Sequence, residues 1–371
     1  MTWLTIKGGA KKFSRIIIYA LAALSLAVFL LARYFTWSPE VVKTMLAASG
    51  EMEEALRQLR LCREAKGLPF DLEADPNQTG LIGVKDSILT TSLGQLEAKR
   101  TTTNPELAGL IVYLLVKAGV REGEVVAVGA SSSFPALLVA FLAASRALKV
   151  TPLFIVSLGA SQWGANNPDF TWVDIQDCLE KTGWLPQRPI AVSLGGTRDV
   201  GFGLKPEGRE LLLRQVKEKG LRLIAEPDLE KNVNLRLNFY EAAARGKRLA
   251  AFVNIGGGWV NMGEREEILR LPPGLNFIDR SAARFKGVVW EMARRGTPVI
   301  HLLYIKGLVE KYGLPWDPQP LPEVGKSQFY QLARSSSRNF RLFTLAYFIV
   351  AFIGLLCYRK MATRSFLSIF F

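Results

Sequence analysis

The chain has 371 residues, 49% of them hydrophobic, and a formal net charge of +14. That hydrophobic content excludes a disordered chain, and the length allows one large core or two smaller ones. Nine of the fourteen excess positive charges lie in residues 1–37 and 340–371, which hold no acid, so the basic balance points away from nucleic acid; the middle, with 38 basic and 33 acidic residues, is mildly basic and suits an anionic ligand.

Residues 16–32, IIIYALAALSLAVFLLA, carry no charge between Arg15 and Arg33, and residues 342–358, LFTLAYFIVAFIGLLCY, carry none between Arg341 and Arg359. At about 1.5 Å rise per residue, each run approaches the span of a hydrocarbon core of roughly 30 Å. Tyr34, Phe35, Trp37 and Phe340 add aromatics suited to an interface. A transmembrane helix is expected at each end. A cleaved signal peptide would need a small-residue cleavage site, and Leu31-Ala32-Arg33-Tyr34-Phe35 follows the first run instead. Lys and Arg on the tails outnumber those on the inner flanks by seven to four. The expected placement is a bacterial inner membrane with both termini cytoplasmic. The domain plan is a tail and first span over 1–37, an extracytoplasmic domain over 38–330, and a second span with its tail over 331–371.

Ser38-Pro39 has the form of a helix start, and Val41, Met45, Met52, Leu56 and Leu59 continue at helical spacing until Gly67-Leu68-Pro69. Within that domain, 38–67 is expected to be a juxtamembrane helix. From about residue 80 short β-rich runs alternate with helical ones. Strands are expected at 125–128, 153–156, 190–193, 221–224, 249–254 and 298–303, with helices at 105–118, 135–148, 206–219, 229–245 and 281–295. The fold class is therefore α/β, a mostly parallel sheet with helices on both faces, flanked by the two transmembrane helices. The proline-rich stretch LPWDPQPLPEVG, 314–325, reads as an exit linker.

Four strands end alike, in VVAVGASSS, FIVSLGASQ, IAVSLGGTR and FVNIGGGWV. In a parallel sheet these ends share one edge, where glycine admits a ligand close to the backbone and successive N–H groups favour an anion. The binding candidates are Gly129, Ser133, Gly159, Ser161, Asn166, Asn167, Gly195, Gly196, Thr197, Arg198, Asp199, Gly256, Gly257 and Gly258. The triplet Ser-Leu-Gly occurs at 157–159, at 193–195 and again at 92–94, where no strand precedes it and the match reads as coincidence.

For catalysis, Gly129-Ala130-Ser131-Ser132-Ser133 resembles a strand-to-helix nucleophile turn without its final glycine, with Ser131 or Ser132 as nucleophile. The sole histidine, His301, is the base such a triad requires, although its apolar neighbours equally suit a core position. Asp169, Asp174 or Asp199 would complete the triad, and Asp169 with Asp174 is a candidate carboxylate pair. Lys99-Arg100-Thr101-Thr102-Thr103-Asn104, ahead of a helix at Pro105, suits a carboxylate or phosphate, or else is an ordinary cap by Asn104 with solvated charges. One histidine and no CxxC give no familiar zinc site. Neither GxxxxGK[ST] nor GxGxxG occurs, and no cofactor is expected. Of three cysteines, Cys357 lies in the second apolar run, and Cys62 and Cys178 are left to pair or stay free.

The segments TTSLGQLEAKRTTTNPELAGLIVYLLVKAGV, GASSSFPALLVA, WGANNPDFTWVDI, SLGGTRDVGFGL and NIGGGWVNMG, with the N-terminal span, resemble the bacterial poly-gamma-glutamate system protein family over about residues 35–320. The resemblance implies a membrane-anchored accessory component of poly-γ-glutamate synthesis or export, with the synthase ligase and membrane subunits and the anionic polymer as partners. It carries no catalytic residues over. The alternatives are an envelope serine hydrolase acting on the polymer, through Ser131 or Ser132, and a non-enzymatic scaffold of the synthase.

Overall fold

A computed structural model describes residues 39–330 except 186, 265 and 281–284, together with 19, 22–27, 342 and 345–356. Its chain divides into two units, 43–329 and the two ends. In the unit made by the ends, 22–27 and 345–356 are helical, and the Ser25 and Tyr347 hydroxyls share a hydrogen bond. Among the described residues no helix is long and apolar enough to cross a membrane. The two expected transmembrane helices, and the inner-membrane location built on them, are therefore corrected: a charge-free run is not by itself a span, and no helix long and apolar enough for one is found among the described residues. The remaining residues of both apolar runs lie outside the described residues.

In the larger unit, seven strands form one sheet. They are β1 (Val125–Ser131), β2 (Thr151–Ser157), β3 (Ala191–Ser193), β4 (Leu223–Ile224), β5 (Leu249–Ile255), β6 (Gly274–Asn276) and β7 (Val299–Leu302). The spatial order is β6-β7-β5-β1-β2-β3-β4, parallel except for β6. All six expected strands are present and the α/β class holds. The edge strand β6, three residues long, was not expected. From β1 the chain steps outward through β2, β3 and β4, then returns to place β5 on the other side of β1. The order reverses between β1 and β5, and in open α/β sheets a crevice opens outside the strand ends at such a point.

The helices are α1 (Pro39–Ala65), α2 (Leu96–Thr102), α3 (Glu106–Lys117), α4 (Pro135–Leu148), α5 (Trp172–Lys181), α6 (Pro206–Glu218), α7 (Leu229–Ala244), α8 (Trp259–Met262), α9 (Val288–Arg294) and α10 (Ile305–Tyr312). Strand side chains alternate between faces. Val125, Ala127, Leu153 and Ile155 pack with Leu229, Val233, Leu237 and Tyr240 of α7 and with Val289 and Met292 of α9. Val126, Val128, Phe154 and Val156 are equally buried and serve the opposite face. A strand buried on both sides cannot alternate apolar with polar, which is why these runs are continuous in the sequence.

Helix α1 packs against its own domain. Met45, Ala48, Met52, Ala55 and Leu59, at helical spacing, are fully buried. The helix is bound to its own domain by the Cys62–Cys178 disulfide to α5, by a 2.8 Å ion pair from Lys66 to Asp174, and by the Trp184 indole donating to the Glu51 carbonyl at 3.2 Å. The expected exit linker is also anchored. Arg100 makes two 2.7 Å hydrogen bonds to the Asp317 carboxylate, and Glu106 accepts from the Gly325 N–H at 2.8 Å.

The disulfide closes a loop of 116 residues, long enough for the cross-link to remove substantial freedom from the unfolded chain. A Cys62→Ala/Cys178→Ala variant is expected to lose about 2–4 kcal/mol of unfolding free energy in a urea titration, and dithiothreitol is expected to bring the wild type to the same midpoint.

Candidate functional site

A cleft of about 480 Å³ opens at the carboxyl edge of the sheet, at the reversal between β1 and β5. Its walls come from the ends of β1, β2 and β3, from the Gly257-Gly258-Trp259 turn after β5, and from Tyr304 and Lys306 after β7. The fourth wall is Thr91 to Lys99, the approach to α2 and the helix itself.

All three Ser-Leu-Gly triplets contribute to this cleft, through Ser92, Leu93 and Gly94, through Ser157 and Gly159, and through Gly195. The copies at 157 and 193 lie side by side: the Leu158 N–H donates to the Ser193 carbonyl and the Gly159 N–H to the Leu194 carbonyl, both at 2.9 Å. Gly195 turns there with φ +73°, open to glycine at little cost. The copy at 92–94 is not coincidence. Its segment runs along 160–162, with Thr91 N–H donating to the Ala160 carbonyl at 2.8 Å and Gln162 N–H to the Ser92 carbonyl at 3.0 Å. A Cβ on Gly94 would stand 2.3 Å from the Gln162 carbonyl oxygen and 3.2 Å from Ser161 Oγ. Glycine is what lets this third strand of backbone approach.

Lys99 is the group that sequence reasoning underweighted. Expected in a loop, it sits within α2, 3% exposed, and its ammonium enters the cleft wall. Nζ is 2.8 Å from Ser161 Oγ, donates to the Ser133 carbonyl, and lies 3.7 Å from the centre of the Phe134 ring. Among the described residues no carboxylate forms an ion pair with it. Burial pushes its pKa down from the ordinary lysine value to about 7. Around it the serines form a chain: Ser131 Oγ donates to Ser133 Oγ at 3.0 Å, and Ser133 Oγ accepts the Ser161 N–H at 2.9 Å. The neighbouring Arg100 instead serves the Asp317 anchor, and Asn104 caps α3 by accepting the Glu106 N–H at 3.0 Å.

On the far side of the cleft Asp199 is held in a buried network. Arg236 of α7 pairs with it at 2.6 Å, both side chains almost wholly buried. Its other oxygen accepts from Ser193 at 2.7 Å and Ser157 at 3.1 Å, and Asn232 adds a bond at 3.2 Å. Arg198 and Asp199 both have positive φ, at +57° and +63°, so the turn is tight and the network holds it.

Of the expected binding residues, Ser133, Gly159, Ser161, Gly195, Gly196, Thr197, Asp199, Gly257 and Gly258 line the cleft. The others do not. Asn166 is a buried clamp, its amide exchanging bonds with Val84 N–H and carbonyl and donating to Thr90. Asn167 caps the Asp169 N–H, and both border a separate hollow near Phe70. Gly129 is packed against the Asn261 amide, and Gly256 and Arg198 are turn residues.

The expected triad is not assembled. Ser131 lines the cleft, whereas Ser132 Oγ is buried beside it with no partner among the described residues. His301, on β7, is 2% exposed and accepts from the Asn254 amide at 3.1 Å through Nδ1; burial lowers its pKa to about 4. It is the core histidine its apolar neighbours suggested. Asp174 caps α5 in a capping box with Thr171, so the Asp169–Asp174 pair is also set aside. No protein-family profile matches the chain, and neither the curated proteins nor the solved structures include a match.

Two stability measurements follow from these buried charges. Because Lys99 binds its proton less tightly when folded than the roughly 10.4 of a free lysine, the unfolded state holds more protons between about pH 7 and 10, and stability rises with pH across that window. Urea midpoints of the wild type are expected to gain relative to Lys99→Met as pH rises from 7 to 9. Arg236→Ala, which strands the Asp199 carboxylate, is expected to cost about 3–5 kcal/mol at pH 7. Calorimetry or urea unfolding checks the size.

Proposed function

We propose that this chain binds a carboxylate-bearing ligand in the cleft at the carboxyl edge of its sheet, and that the ligand is a terminus or short segment of poly-γ-glutamate, as an accessory component of that polymer's synthesis or export. The observation that carries the reading is convergence: three Ser-Leu-Gly turns and a glycine-rich loop meet at the sheet's reversal point around Lys99 and Lys306. Backbone close to the ligand, hydroxyls for hydrogen bonds and two amine side chains suit carboxylates. Asp199 does not repel them, because Arg236 neutralises it. The exposed Tyr304 and the partly buried Trp259 flank the opening with flat apolar surface for a polymer's methylene stems.

The volume constrains the mode of binding. At about 480 Å³ the cleft matches a small-molecule site and not a track for a long chain. The polymer identity itself comes from the sequence resemblance. The cleft contributes the charge and the size.

Titration of the full-length protein with short γ-linked glutamate oligomers tests the reading. Binding is expected to weaken as salt is raised from 50 to 300 mM. Lys306→Glu is expected to reduce affinity by about three- to fivefold, the effect of an exposed charge. Absence of binding at low salt would overturn the proposal, as would oligomer affinity that ignores both salt and Lys306.

A further inference from the structure

We propose that Ser161 and Lys99 are a nucleophile and general base, and that the cleft carries out acyl transfer on an amide of a carboxylate-bearing substrate. The inference rests on the ligand class proposed above for its substrate, but its chemistry stands on separate geometry.

Four observations point to it. Lys99 is buried without a carboxylate, an expensive arrangement that a methionine of similar length would fill more cheaply. Its amine lies 2.8 Å from Ser161 Oγ, within proton-transfer reach. Ser161 lines the cleft. Finally, both members are held: the Ser133 carbonyl fixes the amine and Ser133 Oγ fixes the Ser161 N–H. A neutral amine donates to the carbonyl and offers its lone pair to the Ser161 hydroxyl. Ser–Lys pairs of this kind are a known alternative to the histidine-based triad. Here the arrangement supplies the base that His301 does not.

The step balances without an added cofactor. Ser161 Oγ attacks the amide carbonyl carbon as its proton passes to Lys99 Nζ. The tetrahedral intermediate collapses with cleavage of the C–N bond, and the Lys99 ammonium returns the proton to the departing amine. Water, deprotonated by Lys99, then attacks the acyl ester, releasing a carboxylic acid and restoring the Ser161 hydroxyl; an amine in place of water gives transfer in place of hydrolysis. Ser133 is a positioning residue in this scheme.

The charged and titratable neighbours leave the pair undisturbed. Asp199 is bound to Arg236, Arg100 to Asp317, and Asp86 to the Gln162 amide at 3.4 Å, while Lys306 and the Tyr304 phenol are exposed at the rim.

The test is labelling of the full-length protein with an alkyl fluorophosphonate, read by intact mass and peptide mapping. Modification is expected at Ser161, absent from Ser161→Ala, with a rate that rises about tenfold from pH 6 to pH 8 as a base with a pKa near 7 loses its proton. Lys99→Met is expected to lose at least a hundredfold in rate, and Lys99→Arg to remain equally slow although it restores the charge. Where a Lys99 variant does not keep the wild-type circular dichroism spectrum, the wild-type pH profile and the Ser161→Ala comparison decide. Labelling at Ser131 or Ser132, no labelling between pH 6 and 9, or a flat pH profile would overturn the pair. Oligomer binding without labelling leaves the ligand reading and removes this one; labelling without oligomer binding keeps the pair and removes poly-γ-glutamate.

Discussion

The buried ion pair between Asp199 and Arg236 is the constraint on which the working edge of this protein depends. Two charges removed from water are costly, and their attraction repays the cost only when the remaining hydrogen-bonding capacity is also used. Here it is. Ser157 and Ser193, at the ends of adjacent strands, and Asn232, one turn before Arg236 on the same helix, complete the shell around the carboxylate. The helix is thereby coupled to two strand ends and to a turn with two consecutive residues at positive φ. With that turn held, Gly195, Gly196 and Thr197 form a stable wall instead of a wandering loop.

The second wall has a different cause. The segment before α2 carries no strong strand pattern, yet it lies beside 160–162 because Gly94 leaves room for the Gln162 carbonyl. This brings α2 near enough to the end of β1 for Lys99 to reach the Ser133 carbonyl. A side chain at residue 94 would close the approach and move the lysine with it. The Ser-Leu-Gly triplet thus occurs at two strand ends and once ahead of α2, each time with its glycine where two backbones meet.

Much of this was legible in the sequence. Continuous apolar runs marked the six parallel strands because a sheet covered on both faces leaves no polar alternation, and glycine-rich strand ends located the cleft to the correct edge. What escaped depended on tertiary contact. Leu96–Thr102 forms a helix although its charges and hydroxyls resemble a solvated loop, since Lys99 and the threonines turn inward and bond to the backbone. Asn166 looks like a ligand in a linear reading and is a clamp in the fold. His301 lies on a strand whose register pairs it with Asn254. At the apolar ends hydropathy alone suggests a span, and among the described residues no helix is long and apolar enough to cross a membrane.

Lys99 places the two proposed roles of the cleft in tension. A neutral amine serves as a base, whereas an ammonium attracts carboxylate, and a carboxylate arriving near Nζ raises the lysine's proton affinity by charge attraction, against the desolvation that lowers it. Amide cleavage releases just such a group beside Ser161. The new carboxylate therefore favours proton uptake by Lys99, which holds the product and silences the base until product leaves or exchanges. Rising pH acts in the opposite direction on both counts, weakening product binding while freeing the amine. A lysine with an ordinary pKa would stay charged and only bind; one buried more deeply would stay neutral and only react. Its position behind Phe134, with one hydroxyl and one carbonyl as partners, keeps both states within reach near neutral pH.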